Sequence, residues 1–108
     1  MSRPRAANDV FRAVADPTRR ELLDRLAAGD DSMMKLAESF EMSLPAVSQH
    51  LKILREAGLV EERREGRHRI YTLVPGPLRE VSDWVGHYEQ FWQTRLRKLR
   101  EHLQRKEK

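Results

Sequence analysis

Residues 43–60 read SLPAVSQHLKILREAGLV. Ser43 suits a helix start, because its hydroxyl can accept a bond from an amide in the first turn. Pro45 is tolerated there, where a missing N–H costs nothing. Since Pro45 offers no amide, Ser43 must cap Ala46. Val47, Leu51 and Leu54 recur at helical spacing and form an inner stripe. Ala57 and Gly58 end the run, with Gly58 at the left-handed position that favours glycine. The spacing predicts a helix over 43–57. Its other face and leading end carry Ser43, Pro45, Ala46, Ser48, Gln49 and Lys52, which are small or polar. Such a face lets a backbone enter a DNA major groove about 12 Å wide. Gln49 can pair twice with adenine, Ser48 can reach a base or a phosphate, and Ala46 or Pro45 can touch a thymine methyl. Lys52 is better placed for phosphate. The competing reading is an ordinary surface helix with a polar outer side. His50 sits on a flank, suited to packing or phosphate contact. Ile53 lies off the inner stripe and is expected to pack elsewhere, against the hairpin.

Working upstream, Leu36, Ala37 and Phe40 form one face of a short helix opened by the cap candidates Asp30, Asp31 and Ser32, with Met33 able to staple its start. Asp16-Pro17 reads as another start, since Asp caps and Pro suits the first helical position. Leu22, Leu23 and Leu26 are its buried stripe, and Ala28-Gly29 stops it. Asn8 or Asp9 can cap a short helix through Val14 that buries Val10, Phe11 and Val14. Residues 1–7, MSRPRAA, are basic and turn-prone, and read as a flexible arm.

Downstream the period changes from helical to alternating. One strand runs from Leu59 to Glu65, Gly66 turns it, and a second runs from Arg69 to Val74, giving a hairpin with a loop of the 3–5-residue kind. Arg63, Arg64, Arg67, His68 and Arg69 surround the turn, interleaved with Glu61, Glu62 and Glu65. Arginine beside a glycine turn can reach a minor groove or phosphates; a salt-bridged, solvated hairpin is the bland alternative. Pro75-Gly76-Pro77 breaks the hairpin. A long helix from Leu78 to about Leu103 follows, with Leu78, Val81, Val85, Tyr88, Trp92, Leu96, Leu99 and Leu103 as its stripe.

Composition bounds the function. The chain has 108 residues, 21 Lys+Arg against 17 Asp+Glu, and no cysteine. That is one domain's length. Thiolate catalysis, cysteine zinc sites and disulfide scaffolds are excluded. Mean hydropathy is −0.76 and 35% of residues are charged, yet the apolar periodicity opposes disorder. No apolar run approaches the ~20 residues of a membrane span, and the first ten residues lack the apolar core of a secretory signal. A cytoplasmic protein is expected. No Gly-rich phosphate loop and no motif-spaced Ser, His and acid cluster point to an enzyme. The net charge of +4 permits a polyanionic partner without naming one.

Two short helices, a tight turn and a charged hairpin, in that order, make a winged helix-turn-helix: mainly α, about five helices with a two-stranded antiparallel wing. AVADPTRRELLDRL from Ala13, SLPAVSQHLKILREAGLV from Ser43 and RREGRHRIYTL from Arg63 resemble the ArsR-type (ArsR/SmtB) winged-helix repressors over roughly residues 8–75. The resemblance implies a dimeric, operator-binding repressor of double-stranded DNA, joined through its first and last helices. It implies recognition residues Ser43, Pro45, Ala46, Ser48, Gln49 and His50, and a wing at residues 63–69. Residues 8–76 would be the DNA-binding part and 77–108 the dimerisation helix of the same domain. Metal-sensing members carry a cysteine box where this chain has DDSMMKL. Others carry Asp-x-His and His-x-x-Glu/His on the last helix, where this chain has only Asp83, His87 and His102 at other spacings. No metal, no cofactor and no identified small-molecule effector is expected.

The last helix holds more apolar area than one small domain can cover. Val10, Phe11, Val81, Trp84, Val85, Tyr88, Phe91 and Trp92 are the candidate dimer interface, by shared burial in a two-fold pair. The aromatics could instead line a ligand pocket. A different class of reading makes the chain a dimeric protein-interaction module that uses this helix to hold a partner.

Overall fold

Three of the helices begin where a short polar side chain takes up an orphaned amide. A computed structural model describes residues 8–106, so the expected arm at 1–7 lies outside the described residues. The elements are α1 (Asp9–Val14), α2 (Pro17–Ala27), β1 (Asp31–Ser32), α3 (Met33–Ser39), α4 (Leu44–Glu56), β2 (Val60–Glu65), β3 (His68–Leu73), a 3-10 turn (Gly76–Leu78) and α5 (Arg79–Lys106). Asp16 accepts from the Arg19 amide, Ser32 from the Lys35 amide and Ser43 from the Ala46 amide. Proline stands in the first turn of both α2 and α4. At α1 the expectation fails: Asn8 is the N-cap residue but its side chain makes no capping bond.

Helix ends follow the same accounting. After α4, Gly58 adopts φ 76°, the Gly58 amide donates to Arg55 O and the Leu59 amide to Leu54 O. Leu54 and Leu59 are both fully buried, so the apolar contact that seals such an end is present. After α3 the same pattern uses Glu41 at φ 52°, with Met42 donating to Ala37 O. The C-terminus of α1 is closed from outside. Arg19 Nε donates to Ala13 O at 2.8 Å, Arg19 also reaches Arg12 O at 3.1 Å, and Arg20 reaches Val14 O at 2.7 Å. Sequence reasoning assigned neither arginine a role.

The core is Val10, Ala13, Leu22, Leu23, Leu26, Leu36, Ala37, Val47, Leu51, Leu54, Ala57, Leu59, Val60 and Tyr71. It joins α1 through α4 to one face of the sheet. The sheet has three strands, in the order β1-β3-β2, all antiparallel neighbours. The strand β1 was not foreseen: Asp31 pairs with Tyr71 and Ser32 with Ile70, while Ser32 still caps α3. Two residues are too short for a period to show. The hairpin loop is also tighter than expected. Glu65 pairs with His68, leaving Gly66 and Arg67 as a two-residue turn, with Gly66 at φ 62° in its first central position. Ile53 is half-buried against the core, off the inner stripe of α4. It lines a small cleft with Asp9, Arg12 and Glu56, between α1 and α4.

The helix α5 has 28 residues, about 42 Å at the helical rise. Only its start docks: Val81 packs on the core beside Leu78 of the preceding turn, and Phe11 meets Trp84 edge-on with ring centres 5.8 Å apart. The rest runs clear, and the molecule measures 68 × 31 × 20 Å. Among the described residues no helix is long and apolar enough to cross a membrane.

Replacing Arg19 by Ala strips bonds from two α1 carbonyls and from α4. A loss of about 1–3 kcal/mol in unfolding free energy is expected, read by urea denaturation. Arg20→Ala, which loses the bond to one carbonyl, is expected to cost less.

Candidate nucleic-acid interface

Helix α4 shows two sharply different sides. Val47, Leu51 and Leu54 are fully buried, while Pro45, Gln49 and Lys52 form an exposed outer stripe along the helix. Ser43 is exposed and spends its hydroxyl on the Ala46 amide at 3.3 Å. Ala46 and Ser48 flank the stripe, half-buried. His50 turns the other way: its Nδ1 lies 3.3 Å from an Arg19 guanidinium nitrogen and 3.9 Å from Asp16. Arginine only donates, so Nδ1 accepts and the ring proton belongs on Nε2. His50 therefore holds α4 against α2, the packing role open to it from sequence.

A second tie fixes the far end of α4. Arg55 pairs with Glu62 of β2, and Glu62 also accepts from the Tyr71 hydroxyl at 3.1 Å. Burial, followed by the adjacent Glu62 charge, raises the Tyr71 phenol above its ordinary value. Helix and wing thus share a carboxylate, which sets the angle between them.

The wing arginines divide into two groups. Arg63 donates to Asp30 at 2.8 Å, to Glu65 at 3.0 Å and to Thr72 at 2.8 Å. Arg69 lies 3.7 Å from Glu62. Arg64, Arg67 and His68 are exposed, with no ion pair among the described residues. The turn therefore presents Arg64 and Arg67 outward, while Arg63 ties β2 to β3 and to the start of β1. Asp30 was expected only as a cap candidate; the cap of α3 is Ser32, and Asp30 instead pairs with Arg63, 33 residues away.

The proposed interface residues also divide. Val10 is fully buried in the core of its own chain, so it packs within the protomer and offers no interface area. Phe11, Val81 and Val85 are half-buried. Trp84, Tyr88, Phe91 and Trp92 keep about half their surface exposed along α5. Among the described residues, no group of three or more His, Cys, Asp or Glu is placed to hold a metal. Asp83, His87 and His102 stand exposed along α5.

Comparison with known proteins agrees with this geometry. Residues 16–62 match the model of the bacterial regulatory protein arsR family. The chain is 40% identical over 78 residues to the transcriptional repressor SdpR of Bacillus subtilis, covering 72% of this chain and 87% of that protein. It is 40% identical over 96 residues to the HTH-type transcriptional regulator Rv2034 of Mycobacterium tuberculosis, covering 89% and 87%. The crystal structure of the ArsR family transcriptional regulator RHA00566 superposes with a TM-score of 0.71 at 34% identity, over 80% of this chain and 94% of that one.

Two carboxylates that position these elements respond to acid. The Arg19 amide, aided by the Arg19 charge, holds Asp16 below its ordinary value of 3.8. The Arg63 bond, and then that of Thr72, does the same for Asp30. A lowered folded value means a contribution that is complete above the ordinary range and lost as pH falls through the folded value. Urea unfolding is expected to weaken on going from neutral pH to below about pH 3, and Asp16→Asn with Asp30→Asn to narrow that difference.

Proposed function

The chain belongs to the arsR family of bacterial regulatory proteins, and on that premise we propose that it acts as a homodimeric repressor of its own or a neighbouring operon. It is a DNA-binding transcription regulator of the winged-helix class. In the proposed complex residues 8–76 dock on an inverted-repeat operator and residues 77–108 join the protomers. Each α4 enters a major groove with its half-site about 34–36 Å from the other. The exposed stripe of α4, set against its fully buried Val47-Leu51-Leu54 side, is the observation that carries this reading. Gln49 reads a base edge, with Ser48, Ala46 and Pro45 beside it, and Lys52 and the Ser43 end meet phosphate. Arg64, Arg67 and His68 extend from the wing to phosphate or minor groove, with Arg63 and Arg69 supporting them.

The exposed aromatics of α5 also favour the second reading, a dimeric module that binds a protein partner. Salt distinguishes the two, because DNA binding releases counterions and falls steeply as salt rises.

A gel shift against the chain's own upstream region tests the main reading. Binding there tighter than to random duplex is expected; equal binding sinks it. Gln49→Ala is expected to cost about 1–3 kcal/mol and relax preference at one base pair. Arg67→Ala should weaken binding across all sequences and lower the salt slope by about 1. Arg63→Ala should lower thermal stability more than it changes that slope.

A further inference from the structure

Outside α5, the large apolar side chains that stand exposed among the described residues are Met34, on α3, and Leu44, at the first position of α4. A lone exposed leucine is ordinary; the setting of this one is not. At about 100° per residue, Leu44, Pro45, Ser48, Gln49 and Lys52 fall within an arc of about 140° on the outer side of α4. Ala46, half-buried, falls outside that arc. Leu44 and Pro45 are adjacent and both exposed, which gives the leading turn an apolar tip. Side chains on a helix lean toward its N-terminus, so Leu44 projects ahead of Ser48. The turn is held in place: Ser43 caps the Ala46 amide, and the Val47 amide donates to Ser43 O at 3.1 Å.

Charge says what this tip faces. Residues 42–51 hold no Asp, Glu, Lys or Arg, in a chain where 35% of residues are charged. Phosphate contacts lean on cations. The exposed cations begin beyond this stretch, at Lys52, and stand on the wing at Arg64 and Arg67. A neutral tip, partly apolar and followed by a glutamine, matches the floor of a major groove, where the C5-methyl of thymine is the apolar group on offer.

Resting on the reading of α4 as the groove helix, we propose that Leu44 is a specificity residue that reads a thymine by packing on its C5-methyl. Leu44 precedes Gln49 by five residues, about 7.5 Å along the axis, or about two base-pair steps. The thymine therefore lies within about three base pairs of the pair that Gln49 reads.

Deoxyuridine in place of thymine removes that methyl and nothing else. The full chain selects its best duplex from a random pool. Each thymine in that duplex is then replaced by deoxyuridine, in both half-sites together, and affinity is measured by fluorescence anisotropy. At one such position binding is expected to weaken about fourfold per half-site, the weight of one buried methyl. Leu44→Ala and Leu44→Gln are expected to bind the thymine duplex more weakly and to lose the distinction between thymine and deoxyuridine there, while Leu44→Met keeps it. Leu44 lies outside the buried core, so the melting temperatures of these variants are expected to stay close to that of the parent chain. A full thymine preference retained in Leu44→Ala and Leu44→Gln overturns the assignment. So does a selected duplex in which no change to deoxyuridine matters; both results leave the DNA-binding reading standing. A chain that selects no duplex over random sequence overturns that reading as well.

Discussion

Arg19 joins three helices through its guanidinium and its backbone amide. Its Nε and one terminal nitrogen close carbonyls at the end of α1, its other nitrogen meets His50 of α4, and its own backbone amide is capped by Asp16 at the start of α2. A six-residue helix such as α1 is too short to stand alone. It persists because Val10 and Ala13 are buried and because these carbonyls have donors. If that donor set were lost, α1 would loosen beneath α5, which touches it through Phe11 and Trp84, and α4 would lose its tie to α2. The exposed side of α4 is held from behind by its buried stripe and by the ties of His50 and Arg55.

Much of this was legible along the chain. Helix caps and stops are local chemistry, so Asp16-Pro17, Ser43 with Ala46, and Gly58 announced themselves within a few residues. The buried stripe of α4 came from spacing alone. What stayed hidden was set by distance or by brevity. Arg19 and Arg20 read as surface charges until the carbonyls of α1 are placed beside them. The tie from Arg63 to Asp30 spans a contact that no periodicity marks, and β1 is too short to show alternation. Val10 illustrates a subtler limit of spacing: an apolar residue expected at a surface of contact lies wholly inside its own chain.

The wing shows how a basic count overstates what is available to a polyanion. An arginine already bonded to a carboxylate contributes little net field beyond its partner. Arg63 and Arg69 are so engaged, while Arg64 and Arg67 are not. Glu62 and Asp30 thereby do structural work, orienting the hairpin against α4 through charge while leaving the turn itself positive. The same residues that lower the apparent basicity of the segment give it a defined direction.

The long, mostly undocked α5 has a consequence for how the molecule behaves in flow. The radius of gyration is 19.2 Å, against about 13 Å for an ordinary compact domain of this length. A rod of this kind drags more solvent than a sphere of equal mass. On a sizing column calibrated with globular standards even a lone chain would emerge early and pass for a larger assembly. Mass-based methods such as light scattering or sedimentation equilibrium, which do not depend on shape, are the ones that count its subunits.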